Sequence, residues 1–112
     1  MRPLISLLLL AAIAAPAHAA VSTAAGKAIY TANCAGCHGA KAQGGAGPSL
    51  HGAAGWSYAL FRRAMLQDKD DHGAPLKPPM PNWGKIGFKG DHGKPPTDTE
   101  IKNLQAYLKT LK

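Results

Sequence analysis

Apolar and polar positions along the chain fall into three helical patterns, separated by stretches with no period. From about Thr23 to Asn33, Ala25, Ala28, Ile29 and Ala32 recur as one stripe, with Ser22 or Thr23 placed to cap its start. From about Ser57 to Leu66, SYALFRRAML puts Tyr58, Phe61 and Met65 on one face behind a Ser57 cap. The last segment, TDTEIKNLQAYLKTLK, is the most regular. Thr97 and Glu100 stand at capping-box spacing, and Ile101, Leu104, Leu108 and Leu111 form an apolar stripe with Tyr107 beside it. Between the helices run GAKAQGGAGPSLHGAAG and DHGAPLKPPMPNWGKIGFKGDHGKPP, in which no strand alternation survives the glycines and prolines. The pattern predicts an all-α domain of three main helices and long loops. Loops of this length in a small domain usually wrap a ligand or a function.

The first 19 residues follow another logic. Arg2 precedes a mostly apolar run from Leu4 to Ala15, and Ala17-His18-Ala19 supplies a small-x-small site. This is the build of a secretory signal peptide cleaved after Ala19. The apolar run of 12 residues is short for a bilayer span, and retention as an uncleaved anchor is the alternative. Residues 20–112 then form one exported, soluble, periplasmic domain.

Composition adds that this domain is short of core-forming side chains. Aromatics are 6% of the chain, with 13 Gly and 9 Pro. A chain this small gains from a staple or a cofactor, and a large apolar group would supply the missing interior. Arg2 is the one charged residue before Ala20, which leaves 12 of the 13 basic residues against all 6 acidic ones. Such a surface favours acidic partners or peripheral contact with membrane complexes. Export and the lack of aromatics interleaved with basic residues speak against nucleic acid.

The candidate chemistry lies in NCAGCHG. Cys34 and Cys37 are the only cysteines in the chain, and His38 follows directly. A disulfide over so short a loop stabilises little. A thioredoxin-like pair expects a βαβ setting. A zinc site lacks further ligands at suitable spacing, since His72 and His92 are scattered. Cys-x-x-Cys-His is the signature of covalent c-type haem attachment. Two thiols spaced by a short turn match the haem's two vinyl groups, and the next residue is brought beneath the iron as a proximal ligand. Cys34 and Cys37 are therefore the expected thioether positions and His38 an expected iron ligand.

Met80 and Met65 compete for the opposite iron face. Met65 shares a stripe with Tyr58 and Phe61, the usual place of a core methionine. Met80 lies in KPPMPNW, where flanking prolines restrict the backbone, so Met80 is favoured. His51, His72 and His92 are each followed by Gly and read as exposed loop histidines, with His51 the rival to watch.

On these residues the chain resembles a class I cytochrome c of the small soluble bacterial type. Gly26, Tyr30, Cys34, Cys37 and His38 follow the family's Gly-x3-aromatic-x3-Cys-x2-Cys-His pattern. Gly47-Pro48-Ser49-Leu50, Met80-Pro81, Leu104 and Tyr107 match its later segments. The resemblance implies the cytochrome c fold, with loops wrapped around one covalent haem c per chain. It also implies first and last helices crossing at Gly26, with Tyr30 and Tyr107 packed nearby. His38 and Met80 become the axial ligands, and the Pro48 carbonyl orients His38.

The function implied is one-electron carriage in the periplasm by a monomer, not an enzyme, working with redox partner proteins acidic at their docking face. Lys77, Lys85, Lys89 and Lys94, against a single Asp91, are candidates for that docking ring or simply a solvated loop. Trp56 and Trp83 are candidate donors to haem propionates, and Arg62 or Arg63 candidate partners of the same groups. A dedicated cytochrome subunit of a periplasmic dehydrogenase complex is one alternative. A haem-based sensor with a displaceable sixth ligand is another.

Overall fold

The computed structural model describes residues 20–111, so the signal-peptide segment lies outside the described residues. The helices are α1 Thr23–Asn33, α2 Ala35–His38, α3 His51–Ala54, α4 Tyr58–Gln67, α5 Trp83–Ile86 and α6 Asp98–Lys109. Among the described residues the only β pairing is an isolated bridge between Lys69 and Pro75. None of these helices is long and apolar enough to cross a membrane.

The three main helices start where their caps predict. Ser22 Oγ accepts from Ala25 N at 3.1 Å and Ser57 Oγ accepts from Leu60 N at 3.3 Å. At α6 the capping box is complete. Glu100 N donates to Thr97 Oγ1 at 3.2 Å, and Thr97 N donates to Glu100 Oε1 at 3.0 Å. Each arrangement satisfies backbone donors that a helix N-terminus leaves free. The single-turn helices α2, α3 and α5 fall in or beside stretches read from the sequence as turn or loop. Four residues are too few to display a helical period.

The stripe expected on α1 is corrected. Of its members only Ile29 packs on the core, half-buried; Ala25, Ala28 and Ala32 are exposed, and the fully buried residues are Gly26 and Tyr30. The reason is the partner. α1 crosses α6 so closely that a Cβ on Gly26 would lie 2.0 Å from the Asn103 carbonyl oxygen. Backbone approach, not an apolar stripe, decides which face is buried. Ser22 N donates to Asn103 Oδ1 at 2.9 Å beside this crossing. Tyr30 and Tyr107 pack with ring centroids 5.6 Å apart. From α6, Ile101, Leu104 and Leu108 are buried as the stripe predicts, and Leu111 is half-buried. Gln105 is buried too, and its Nε2 donates to the Trp56 carbonyl at 2.8 Å.

α4 buries Phe61, Ala64 and Met65, and packs on both α5 and α6. Tyr58 and Arg62 tie α4 to the start of α6. The Tyr58 hydroxyl donates to Asp98, and Arg62 Nε donates to Asp98 Oδ1 at 2.8 Å. Arg62 is thus engaged by Asp98. Burial, and then the Asp98 hydrogen bond, push the Tyr58 hydroxyl up to about 12. A raised folded-state pKa holds its stabilisation below the unfolded value of about 10 and loses it as pH climbs towards about 12. Across that window the urea midpoint of the wild type is expected to fall more steeply than that of Tyr58→Phe. Parallel slopes would show that the hydrogen bond is not felt in folding.

Candidate functional site

The site is built on the turn that follows α1. Tyr30 O accepts from Cys34 N at 2.8 Å, which ends α1 and starts the motif. Cys34 O then accepts from His38 N at 3.0 Å, so Ala35–His38 coils into a single turn. This turn presents Cys34, Cys37 and His38 together. Cys34 is buried and Cys37 exposed, both as free thiols. Burial, and secondarily the neighbouring Cys37, push the Cys34 thiol up to about 12. The Tyr30 hydroxyl donates to the Gly39 carbonyl, which fastens the exit of the turn to α1.

The loop from Gly39 to Leu50 folds back over His38. Gly44 N donates to the His38 carbonyl at 2.7 Å, and Gly47 N to the Cys37 carbonyl at 2.8 Å. Gly47 lies against the imidazole, where a Cβ would stand 2.9 Å from Cε1. His38 is only 6% exposed. Its Nδ1 lies 2.7 Å from the Pro48 carbonyl oxygen. A carbonyl can only accept, so Nδ1 carries the proton and Nε2 keeps its lone pair. A histidine so oriented is prepared as a metal ligand, with its tautomer set by a backbone acceptor.

Met80 is half-buried and packs against the core cluster. Its N–H donates to the Lys77 carbonyl at 3.2 Å, closing a turn through Pro78 and Pro79. Met65, its competitor, is buried on α4 as the stripe predicts. His51 Nε2 lies 2.9 Å from the Lys41 carbonyl, which holds its ring to the 39–50 loop. His72 and His92 are exposed, His72 beside Asp71 at 3.7 Å. Among the described residues no three His, Cys, Asp or Glu side chains converge as a metal cluster.

The residues present fit the haem that the motif implies. Trp83 is buried against Phe88, with ring centroids 5.3 Å apart, and its indole N–H has no acceptor in the polypeptide. Leaving such a donor unsatisfied costs about 1–3 kcal/mol. A haem propionate is an acceptor of the right kind. The Trp56 indole is not among the buried unpartnered groups, so this signal separates two tryptophans that the sequence could not. Arg63 Nη2 donates to the Asp70 carbonyl at 2.9 Å, while its buried Nε lacks a partner.

Sequence reasoning missed Gly84. A Cβ there would lie 2.0 Å from the Leu66 carbonyl oxygen, so α5 rests directly on the last turn of α4. Its only sequence signal is a glycine inside WGKI, too weak to stand out.

One solved structure to which the chain shows similarity is cytochrome cL from the marine methylotrophic bacterium Methylophaga aminisulfidivorans, at 23% identity and a TM-score of 0.39. The match covers 79% of this chain and 53% of that one, so the chain spans about half the length of that protein. No curated protein matches the chain. The family model described as "Cytochrome c" matches residues 23–112, every residue from the start of α1 onwards. The chain belongs to the cytochrome c family, whose covalently bound haem c serves electron transfer.

Proposed function

We propose that the protein is a periplasmic one-electron carrier with His/Met axial ligation. Cys34 and Cys37 form the thioethers, His38 and Met80 hold the iron, and Pro48 orients His38. The observation that carries this is the 2.7 Å contact from His38 Nδ1 to the Pro48 carbonyl. It leaves Nε2 as a ligand directly after the Cys-x-x-Cys pair. When bound, the haem supplies a one-electron couple at its iron, and methionine ligation raises the potential relative to two histidines.

The polypeptide's part is to hold ligands and exclude water. Backbone bonds from the 39–50 loop keep His38 still, and three prolines around Met80 restrict the loop that carries its sulfur. Fixed ligands suit a carrier that exchanges electrons without chemistry on a substrate, so the protein is not an enzyme. Lys77, Lys85, Lys89 and Lys94 are exposed, and Asp91 is half-buried. Ile86, among these lysines in sequence, is 54% exposed. An apolar residue with lysines to either side suits docking of a monomer to an acidic redox partner, an encounter that weakens with salt. Residues 1–19 direct export.

The test is the visible spectrum of the matured protein, oxidised and reduced, together with its intact mass. The expected result is residues 20–112 plus one haem, low-spin reduced bands, and a far-red sulfur-to-iron band that disappears in Met80→Ala. A low-spin spectrum without that band moves the ligand to a histidine such as His51. A high-spin spectrum that shifts with carbon monoxide replaces the carrier with a ligand sensor.

A further inference from the structure

The segment that carries Met80 leaves α4 and comes back to the same place. On the way out, Leu76 N donates to the Asp68 carbonyl at 2.8 Å, and Lys69 pairs with Pro75. On the way back, α5 sits on Leu66. A Cβ at Gly84 would lie 2.0 Å from the Leu66 carbonyl oxygen and 2.8 Å from its carbonyl carbon. Both ends of the loop therefore stand on residues 66–69, at the end of α4. Met80 is held between them, four residues before Gly84, in a stretch whose prolines leave little slack.

The seat of α5 cannot easily give way. The atom that a side chain would strike is backbone within the last turn of α4, not the end of a flexible side chain. Trp83, on the same short helix as Gly84, is buried against Phe88 beyond its end, so α5 cannot roll without exposing it. Gly84 itself has no positive φ, so alanine is allowed there by torsion and excluded only by contact. Gly87 differs, since its φ of 74° already demands glycine.

We propose that Gly84 is a positioning residue for the Met80 thioether. Its missing side chain lets α5 seat on Leu66, and that seat closes the loop that keeps the sulfur in place. The inference rests on Met80 as the axial ligand. Lifting α5 by the width of a methyl group opens the loop at its downstream end, while α1, α6 and the Cys34–His38 turn keep their own contacts.

The experiment compares the holoprotein with Gly84→Ala, Met80→Ala and Gly52→Ala. Gly52 is the control, since a Cβ there meets nothing within 4 Å. Three quantities are read: the far-red band of the oxidised form, the rate of carbon monoxide binding to the reduced form, and the urea midpoint of helix unfolding. Gly84→Ala is expected to weaken the band and speed carbon monoxide binding about tenfold, the population shift that moderate overpacking produces. Its band should be lost at lower urea than its helices, and Gly52→Ala should behave as wild type. Wild-type band and rate in Gly84→Ala overturn the proposal. So does a band that disappears only together with the helices. A wild type without the band, or a Met80→Ala that keeps it, instead overturns the ligand assignment. As a second variant against failed maturation, Leu76→Pro deletes the upstream N–H donor and should also speed carbon monoxide binding. An unchanged rate there removes the closed loop as the cause.

Discussion

Gly26→Ala is expected to lower stability by about 2 kcal/mol or more, although alanine is the better helix former by up to about 1 kcal/mol. The sign follows from geometry. The added Cβ would stand 2.0 Å from the Asn103 carbonyl oxygen, 2.6 Å from its carbon and 2.8 Å from Tyr107 Cβ. Two of these atoms are α6 backbone, so relief requires the helices to move apart. That would loosen the Tyr30–Tyr107 contact and the Ser22–Asn103 hydrogen bond together. For a domain of this size the melting temperature should fall by about 10 °C. A midpoint equal to or above wild type would mean that α1 and α6 do not cross at this glycine.

Replacing both cysteines should have a larger effect still. Cys34→Ala/Cys37→Ala, purified without haem, is expected to lose cooperative unfolding. Among the described residues the buried hydrophobic cluster has twelve members, and three are alanines and one is Cys34. The larger ones are Tyr30, Phe61, Met65, Trp83, Phe88, Ile101, Leu104 and Leu108. That is a thin interior for residues 20–111, since native stability is a small margin over a large conformational entropy cost. His38 and the Trp83 indole also stay buried, the latter with a donor that the polypeptide leaves unpaired. Helix content should persist in part through the α1–α6 pair, while the urea transition becomes broad and near-UV signal fades. A sharp transition at the holoprotein's midpoint would show that the polypeptide is self-sufficient and that haem only occupies it.

How much was legible beforehand depended on the range of the signal. Caps and short motifs act over a few residues, so Ser22, Ser57 and the Thr97–Glu100 box were readable as helix starts. The stripe on α6 was readable because Ile101, Leu104 and Leu108 face a solid partner. The stripe on α1 was misread because its buried face is set by how near α6 comes, and Gly26 contributes there by lacking a side chain. Hydropathy gives such a glycine no weight. The same blindness hid Gly84. It also left Trp56 and Trp83 equivalent, since an unpaired indole N–H is a property of its surroundings.

By itself, then, the sequence determined the three main helices, the all-α class, the attachment motif and its histidine, because each is written within one turn or one short spacing. Only the tertiary structure decided which face of α1 is buried, and it gave the contact between His38 and the Pro48 carbonyl, implied by the family resemblance, its length of 2.7 Å. It alone showed that His51 turns to Lys41, and that both ends of the Met80 loop rest on the end of α4. These depend on where distant backbone comes to lie once α1 and α6 have crossed. No local pattern of side chains encodes that distance.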